Sequence, residues 1–408
     1  MSEIAINDSI ESRPDDGLPS ATTVALVQLA LACGGFGIGT GEFAIMGLLP
    51  NVAETFSVTT PQAGYVISAY ALGVVVGAPV IAVLAAKMAR RTLLLMLMVI
   101  FAAGNLSSAV APTFETFTVL RFITGLPHGA YFGVAALVAA SMVPLHRRAR
   151  AVGRVMLGLT VATLLGTPLT TFFGQSLDWQ VAFLSVGVVG LLTVALIWVY
   201  VPKDRVSEEA SFSRELGAFR RPQVWLTLGI AAVGYGGMFA MFSYIASTTT
   251  EVAMLPASAV PIMLILFGVG MNAGNFIGSW LADKSLLGTI GGSLVYNIVV
   301  LSTFSLTAAN PYMLGLSVFL VGCGFAAGPA LQTRLMDVAA DAQTLAAASN
   351  HSAFNIANAI GAWLGGLVIA WGYGFAATGY VGAALSFLGL FVFAASARLE
   401  RRSSTQVA

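Results

Sequence analysis

Val181-Ala-Phe-Leu-Ser-Val-Gly-Val-Val-Gly-Leu-Leu-Thr-Val-Ala-Leu-Ile-Trp-Val-Tyr-Val201 contains no charge and stops at Pro202-Lys-Asp-Arg205. A helix of about 20 mostly apolar residues, rising about 1.5 Å per residue, crosses the hydrocarbon of a bilayer. The same pattern recurs at 24–50, 63–86, 92–111, 117–143, 149–173, 224–249, 258–282, 287–308, 312–336, 346–371 and 375–398. Only 9% of the 408 residues are charged, against roughly 25% in soluble proteins. Nearly all of those charges fall in the gaps between the apolar stretches. The sequence therefore predicts an all-α membrane protein with twelve transmembrane helices. The 44 glycines and 15 prolines fit, because small residues let membrane helices approach closely.

Lys and Arg set the expected orientation. The gaps after spans 2, 4, 6 and 8 hold Lys87, Arg90 and Arg91; Arg147, Arg148 and Arg150; Lys203, Arg205, Arg214, Arg220 and Arg221; and Lys284. The alternate gaps hold Glu54, Glu115, Asp178 and Glu251 but no Lys or Arg. The positive-inside rule then places both termini in the cytoplasm. Residues 1–22 are polar and acidic with no basic leader region, so they read as a cytoplasmic tail and not a signal peptide. Cys33 and Cys323 lie inside spans and read as packing residues.

The chain repeats itself at an offset of about 196 residues. Gly125 aligns with Gly322, and Leu159-Thr-Val-Ala-Thr-Leu-Leu-Gly166 aligns with Phe354-Asn-Ile-Ala-Asn-Ala-Ile-Gly361. Leu84-Ala-Ala-Lys87 falls on Leu281-Ala-Asp-Lys284, and Gly41-Glu-Phe-Ala on Gly237-Met-Phe-Ala. The expected organisation is a tail (1–22), a six-helix half (23–201), a cytoplasmic linker (202–223), a second six-helix half (224–398) and a tail (399–408). Two parallel halves around a central site are a transporter plan. A duplicated membrane scaffold is the plain alternative, and buried polar groups argue against it.

Four segments carry a family resemblance. They are Gly39-Thr-Gly-Glu-Phe-Ala-Ile-Met-Gly-Leu-Leu-Pro50, Arg121-Phe-Ile-Thr-Gly-Leu-Pro-His-Gly-Ala130, the Gly/Pro-rich stretch from Gly158 to Gly174, and the loop Ala82-Val-Leu-Ala-Ala86-Lys-Met-Ala-Arg90-Arg91. Over essentially its whole length the chain resembles the major facilitator superfamily, within it the bacterial twelve-span drug/proton antiporter-type members of the arabinose-efflux-permease-like kind. In the loop, Ala86 stands where the family pattern has an acid, while the second-half copy keeps Asp283. In span 5, Gly166-Thr-Pro168 splits the family's Gly-Pro pair. The resemblance implies a secondary transporter of the inner membrane that exports small molecules by proton-coupled antiport. It also implies that spans 1 and 4 lie side by side around the cavity. Proton-coupled uptake of sugars or other small solutes is the alternative, and a non-transporting scaffold or receptor is the alternative of a different class.

The intramembrane charges supply the candidate site. Glu42 is the one acid well inside a span, and Arg121 is the one clear base. Glu42 lies eight residues before Pro50, about 12 Å, and Arg121 six residues after Glu115, about 9 Å. The two are therefore expected at similar depth, facing each other or sharing the path. Their counterparts in the repeat, Met238 and Val318, are apolar, so the fold does not need the charges. A carboxylate beside an Arg favours the charged form, desolvation favours the neutral one, and motion changes that balance. A static ion pair orienting two helices is the structural alternative. His128, seven residues after Arg121 on the same helix face, is expected to relay protons or bind substrate; simple bonding between helices is the alternative.

Tyr70, Thr124, Tyr131, Tyr235, Phe239, Asn272, Asn275, Asn355 and Asn358 are the candidate cavity residues. Asn272, Asn275 and Ser279 share a face of span 8, as His351, Asn355 and Asn358 do of span 11; amides also serve as helix glue. Lys87, Arg90, Arg91 and Asp283 are candidates for a charged cytoplasmic gate, with topology control as the alternative reading.

The expected partners are a small-molecule substrate, protons and the lipid bilayer, with the protein acting as a monomer. A net charge of +1 gives no reason to expect nucleic acid. Neither a phosphate-cradling loop nor a His/Cys cluster occurs, so no cofactor or metal is expected. A single carboxylate opposite an Arg is poor equipment for an intramembrane enzyme, and the gaps are too short for a channel filter.

Overall fold

The computed structural model describes residues 19–84, 88–144, 147–203, 219–339 and 343–407. Among them, twelve helical segments are long and apolar enough to cross a membrane. They are span 1 (Ala21–Thr55), span 2 (Thr60–Ile81), span 3 (Arg90–Ala109), span 4 (Phe114–Ser141), span 5 (Ala151–Ser176), span 6 (Trp179–Tyr200), span 7 (Pro222–Phe242), span 8 (Ala257–Lys284), span 9 (Leu286–Thr307), span 10 (Pro311–Ala339), span 11 (Ser349–Ala370) and span 12 (Phe375–Arg401). We call the end where span 1 begins and span 12 finishes the base, and the opposite end the top.

Three ends differ most from the sequence-based bounds, the first being span 7, whose regular helix stops at Phe242, short of 249, with a turn at Ser243-Tyr244. Span 1 runs through Pro50 to Thr55, because a proline at this position gives up one backbone donor without breaking a helix packed on several sides. The helix of span 12 continues to Val407, beyond the predicted end at 398. Most of the expected linker, residues 204–218, lies outside the described residues.

The internal repeat is built into the packing. A Cβ at Gly73 would fall 2.1 Å from the Phe122 carbonyl oxygen, one at Gly77 2.1 Å from that of Leu126, and one at Gly125 2.1 Å from that of Tyr70. Spans 2 and 4 therefore interlock through bare backbone. The same three contacts recur about 197 residues on, between spans 8 and 10: Gly270 on Phe319, Gly274 on Cys323 and Gly322 on Phe267. The caps repeat too. Thr113 Oγ1 accepts from the Thr116 amide at the top of span 4, and Asn310 Oδ1 accepts from the Tyr312 and Met313 amides at the top of span 10.

The core joins the halves at one end only. Toward the top a single apolar cluster includes Phe43, Met46 and Leu49 of span 1, Val66 and Ile67 of span 2, and Phe242, Leu264 and Phe267 of spans 7 and 8. Toward the base it divides. Val27, Leu31, Leu97, Phe132 and Val138 belong to a cluster confined to the first half, and Val224, Leu335 and Ala339 form their own in the second. The seal at the top is tightened by Tyr244, whose hydroxyl donates to the Ala362 carbonyl at 2.7 Å. That hydroxyl lies against both Gly64 of the first half and Gly366 of the second, where any Cβ would collide with it.

The α-helix of span 5 is interrupted within its Gly- and Pro-containing stretch. A π-helical turn at Ala162–Gly166 precedes Thr167-Pro168. Single π turns interrupt the regular backbone ladder, and here the Thr163 carbonyl abuts Gly268 of span 8.

Candidate functional site

Helix register decides which polar groups meet. Because span 1 ends at Thr55, Glu42 lies thirteen residues, about 20 Å, below its top. On span 4, which starts at Phe114, His128 lies about 21 Å down and Arg121 only about 10 Å. The expected level match of Glu42 with Arg121 is therefore corrected: Glu42 stands level with His128. Its Oε2 is 4.0 Å from His128 Nδ1. Its Oε1 accepts a long hydrogen bond, 3.5 Å, from Nδ2 of Asn358 on span 11. The carboxylate thus touches both halves.

Arg121 makes no ion pair with Glu42. Its guanidinium lies over the Tyr70 ring, 4.3 Å from the centroid, and 5.4 Å from that of Phe183. None of its three side-chain nitrogens has a hydrogen-bond partner, although the residue is fully buried. It still interacts electrostatically with Glu42. Tyr70 bridges the two levels, its hydroxyl sharing a 3.0 Å hydrogen bond with His128 Nδ1. The order across the bundle is Arg121, Tyr70, His128, Glu42, Asn358. All five are buried, Glu42 being 6% exposed and His128 2%.

The remaining candidates separate into three groups. Asn355, Tyr235 and Phe239 are buried in the second half; Asn355 Oδ1 has no partner, Tyr235 packs on Phe354, and Phe239 packs at Gly361. Two span 4 candidates turn into the first half. The Tyr131 hydroxyl donates to the Leu31 carbonyl at 2.7 Å, and Thr124 donates to the Arg121 carbonyl while its methyl fills the space at Gly104. Two span 8 candidates stay apart from Glu42. Asn272 donates to the Gly268 carbonyl of its own helix, and Asn275 is exposed.

At the base, Lys87 lies outside the described residues. Arg91 donates to the Trp198 carbonyl and lies over the Trp198 ring, tying span 3 to span 6. Arg90 sits at the first residue of span 3, and Asp283 is exposed near the end of span 8.

Sequence reasoning missed three pairings. Arg334 and Glu400 form a two-pronged ion pair at 2.8 and 3.0 Å between spans 10 and 12. Glu400 falls in the expected tail (399–408), and helical periodicity continued past 398 brings it onto span 12. Arg154 donates to Gln28 Oε1 at 3.1 Å between spans 5 and 1. The ring of His351 lies parallel to that of Phe132 across the two halves, a pairing for which the sequence carries no signal.

Comparison with known proteins adds what geometry cannot. Residues 31–348 match the Major Facilitator Superfamily. The chain belongs to that family. It is therefore a secondary transporter of small molecules and not an enzyme. It is 40% identical over 373 residues to the inner membrane transport protein YdhP of Escherichia coli K12, covering 91% of this chain and 96% of that one. It is 32% identical to the chloramphenicol resistance protein of Streptomyces lividans, over 79% of this chain and 84% of that one. A probable sugar efflux transporter of Helicobacter pylori is 28% identical, over 87% and 91%. The crystal structure of a D-xylose-proton symporter superposes with a TM-score of 0.71 at 15% identity, over 91% of this chain and 97% of that one, and shares the fold.

Proposed function

We propose that this transporter exports small molecules from the bacterial cytoplasm by alternating access, in exchange for protons carried by Glu42. One observation carries the reading: the buried carboxylate touches both halves, His128 on one side and Asn358 on the other. A group placed there changes its surroundings whenever one half rocks against the other. Charging it favours polar contact, and protonating it lowers the cost of the dry position. His128 and Tyr70 supply hydrogen-bonding relays beside it, and Arg121 supplies a fixed positive field from two helical turns, about 10 Å, nearer the top.

The Lys and Arg asymmetry supports an inner-membrane protein with both termini cytoplasmic. The base is then cytoplasmic, and the sealed top faces the periplasm. Asn355, Asn358, Tyr235 and Phe239 are the cavity residues we retain from the second half. Arg90, Arg91 and Asp283 serve the cytoplasmic rim. Export is favoured over uptake by the names of the chloramphenicol resistance and sugar efflux relatives.

The test uses everted membrane vesicles with an imposed pH gradient, assayed with radiolabelled chloramphenicol and arabinose. Gradient-driven accumulation is expected for at least one probe, and Glu42→Gln is expected to remove it without changing protein level. Gradient-driven accumulation that survives Glu42→Gln rejects the coupling role.

A further inference from the structure

The sealed site has a floor made of two rings. Phe132 lies one helical turn below His128, with ring centroids 5.4 Å apart, and its own ring stacks on His351 at 5.7 Å with an interplanar angle of 5°. The Cε1 edge of the Phe132 ring rests on Gly35 of span 1, where a Cβ would sit 3.2 Å from it. Phe132 therefore fills the gap between spans 1, 4 and 11 directly beneath Glu42. His351 lies two turns, about 10 Å, below Asn358 on the same face of span 11. It is half-buried, whereas Glu42, His128 and Asn358 are buried. Among the described residues no protein group hydrogen-bonds its ring.

We propose that His351 is the proton-exchange group between the Glu42–His128 pair and the base side of the protein, passing protons around the edge of Phe132. The inference rests on the reading of Glu42 as the proton carrier. The step is a transfer of protons alone. The Glu42 carboxyl O–H bond breaks to leave a carboxylate, and a His128 ring nitrogen takes the proton. The other His128 nitrogen gives up its proton through water to His351, which releases one to the bulk at the base. No electrons change hands.

The ionisable groups on the helices around His351 are consistent with this route. His128 faces it from span 4 and interacts with it electrostatically. Glu42 of span 1 and Tyr70 of span 2 lie beyond His128. Tyr235 of span 7 is buried against Phe354, and Arg334 of span 10 is held by Glu400 of span 12. His128 is thus the near neighbour through which a proton reaches His351.

The experiment needs no substrate. The purified, reconstituted protein is studied by attenuated-total-reflection infrared spectroscopy, following the protonated-carboxyl band that Glu42→Gln removes. On transfer to D2O, His351→Gln is expected to slow the deuterium shift of that band at least tenfold, with an unchanged melting temperature. Adding Phe132→Ala, which opens the floor to water, is expected to restore the rate. His351→Asn serves if the Gln variant is unstable. Equal exchange rates in wild type and the His351 variants overturn the proposal. A wild-type spectrum with no band sensitive to Glu42→Gln defeats the reading of Glu42 itself, and the His351 route falls with it.

Discussion

Glu42 of span 1 and Asn358 of span 11 meet at 3.5 Å across the boundary between the two halves, in a position where neither is exposed beyond 6%. The contact is long for a hydrogen bond, and Asn358 Oδ1 opposite has no partner at all. A short, fully paired contact would clamp the halves; this one can be broken at little cost. Polar contacts between membrane helices are worth about 0.6–1.7 kcal/mol. Asn358→Ala is therefore expected to weaken gradient-driven transport by about 3- to 20-fold without abolishing it, measured in everted vesicles. Complete loss with normal folding would give Asn358 a larger part than a breakable latch.

Arg121 is held by rings and not by an acid. Its guanidinium lies over Tyr70 and Phe183, a planar contact that an ammonium does not reproduce. Desolvated cation–π contacts are worth about 2 kcal/mol. Arg121→Lys is expected to lower stability by about 1–2 kcal/mol, read as a lower melting temperature in detergent. Tyr70→Leu is expected to give a comparable loss, and the double variant less than the sum, because both changes remove one contact. Strict additivity would show that the stacking carries no energy.

The fold was legible because hydrocarbon tolerates so little. A bilayer excludes charge over a fixed thickness, so the positions of Lys, Arg, Asp and Glu divide the chain into spans without any knowledge of packing. The repeat was legible for a related reason. Backbone that touches backbone admits only glycine, and Gly125 and Gly322 occupy the same crossing in the two halves. The site was legible only in part. Glu42 and His128 announce themselves as ionisable groups inside spans, but which of Arg121 and His128 stands beside Glu42 depends on where span 1 ends. Five residues beyond Pro50 change that answer. Tyr131 and Thr124 share a helix with His128, yet they turn into their own half. Periodicity gives the face of a helix and not the neighbour it meets. Arg334 and Glu400 are 66 positions apart, and no local pattern joins them.

The repeated glycine crossings predict paired effects. Gly73→Ala and Gly270→Ala each push a Cβ to within 2.1 Å of a facing carbonyl oxygen, Phe122 in one half and Phe319 in the other. Backbone cannot move aside as a side chain does, and overpacking of this kind costs about 1–3 kcal/mol. Both variants are expected to lose stability within that range and by similar amounts. Gly133→Ala, with nothing within 4 Å of the added carbon, is the control and is expected to melt like wild type.

Tyr244 predicts how the top opens. Its hydroxyl is bonded to the Ala362 carbonyl and, together with the ring carbon that carries it, fills the slot between Gly64 and Gly366. The bond joins two helices of the second half, whereas the slot joins the two halves. The two contributions therefore separate by substitution. Tyr244→Phe removes the bond and the hydroxyl tip but keeps the ring with its Cζ in the slot, so the seal is expected to persist for the most part. Tyr244→Ala removes the wedge and leaves two glycines facing a void. Ser68, whose hydroxyl donates to the Ala359 carbonyl across the same boundary at 3.1 Å, is the position to monitor. With Cys33 and Cys323 replaced by Ala, Ser68→Cys is expected to react slowly with a membrane-impermeant maleimide added from the top. Combined with Tyr244→Ala it is expected to react at least fivefold faster, and combined with Tyr244→Phe at close to the original rate. Equal labelling in all three would place the seal on the rings beneath, where Phe43 meets Phe242 edge-to-face at 6.2 Å and Phe242 stacks on Phe267 at 3.7 Å, and would leave Tyr244 as a bond within the second half alone.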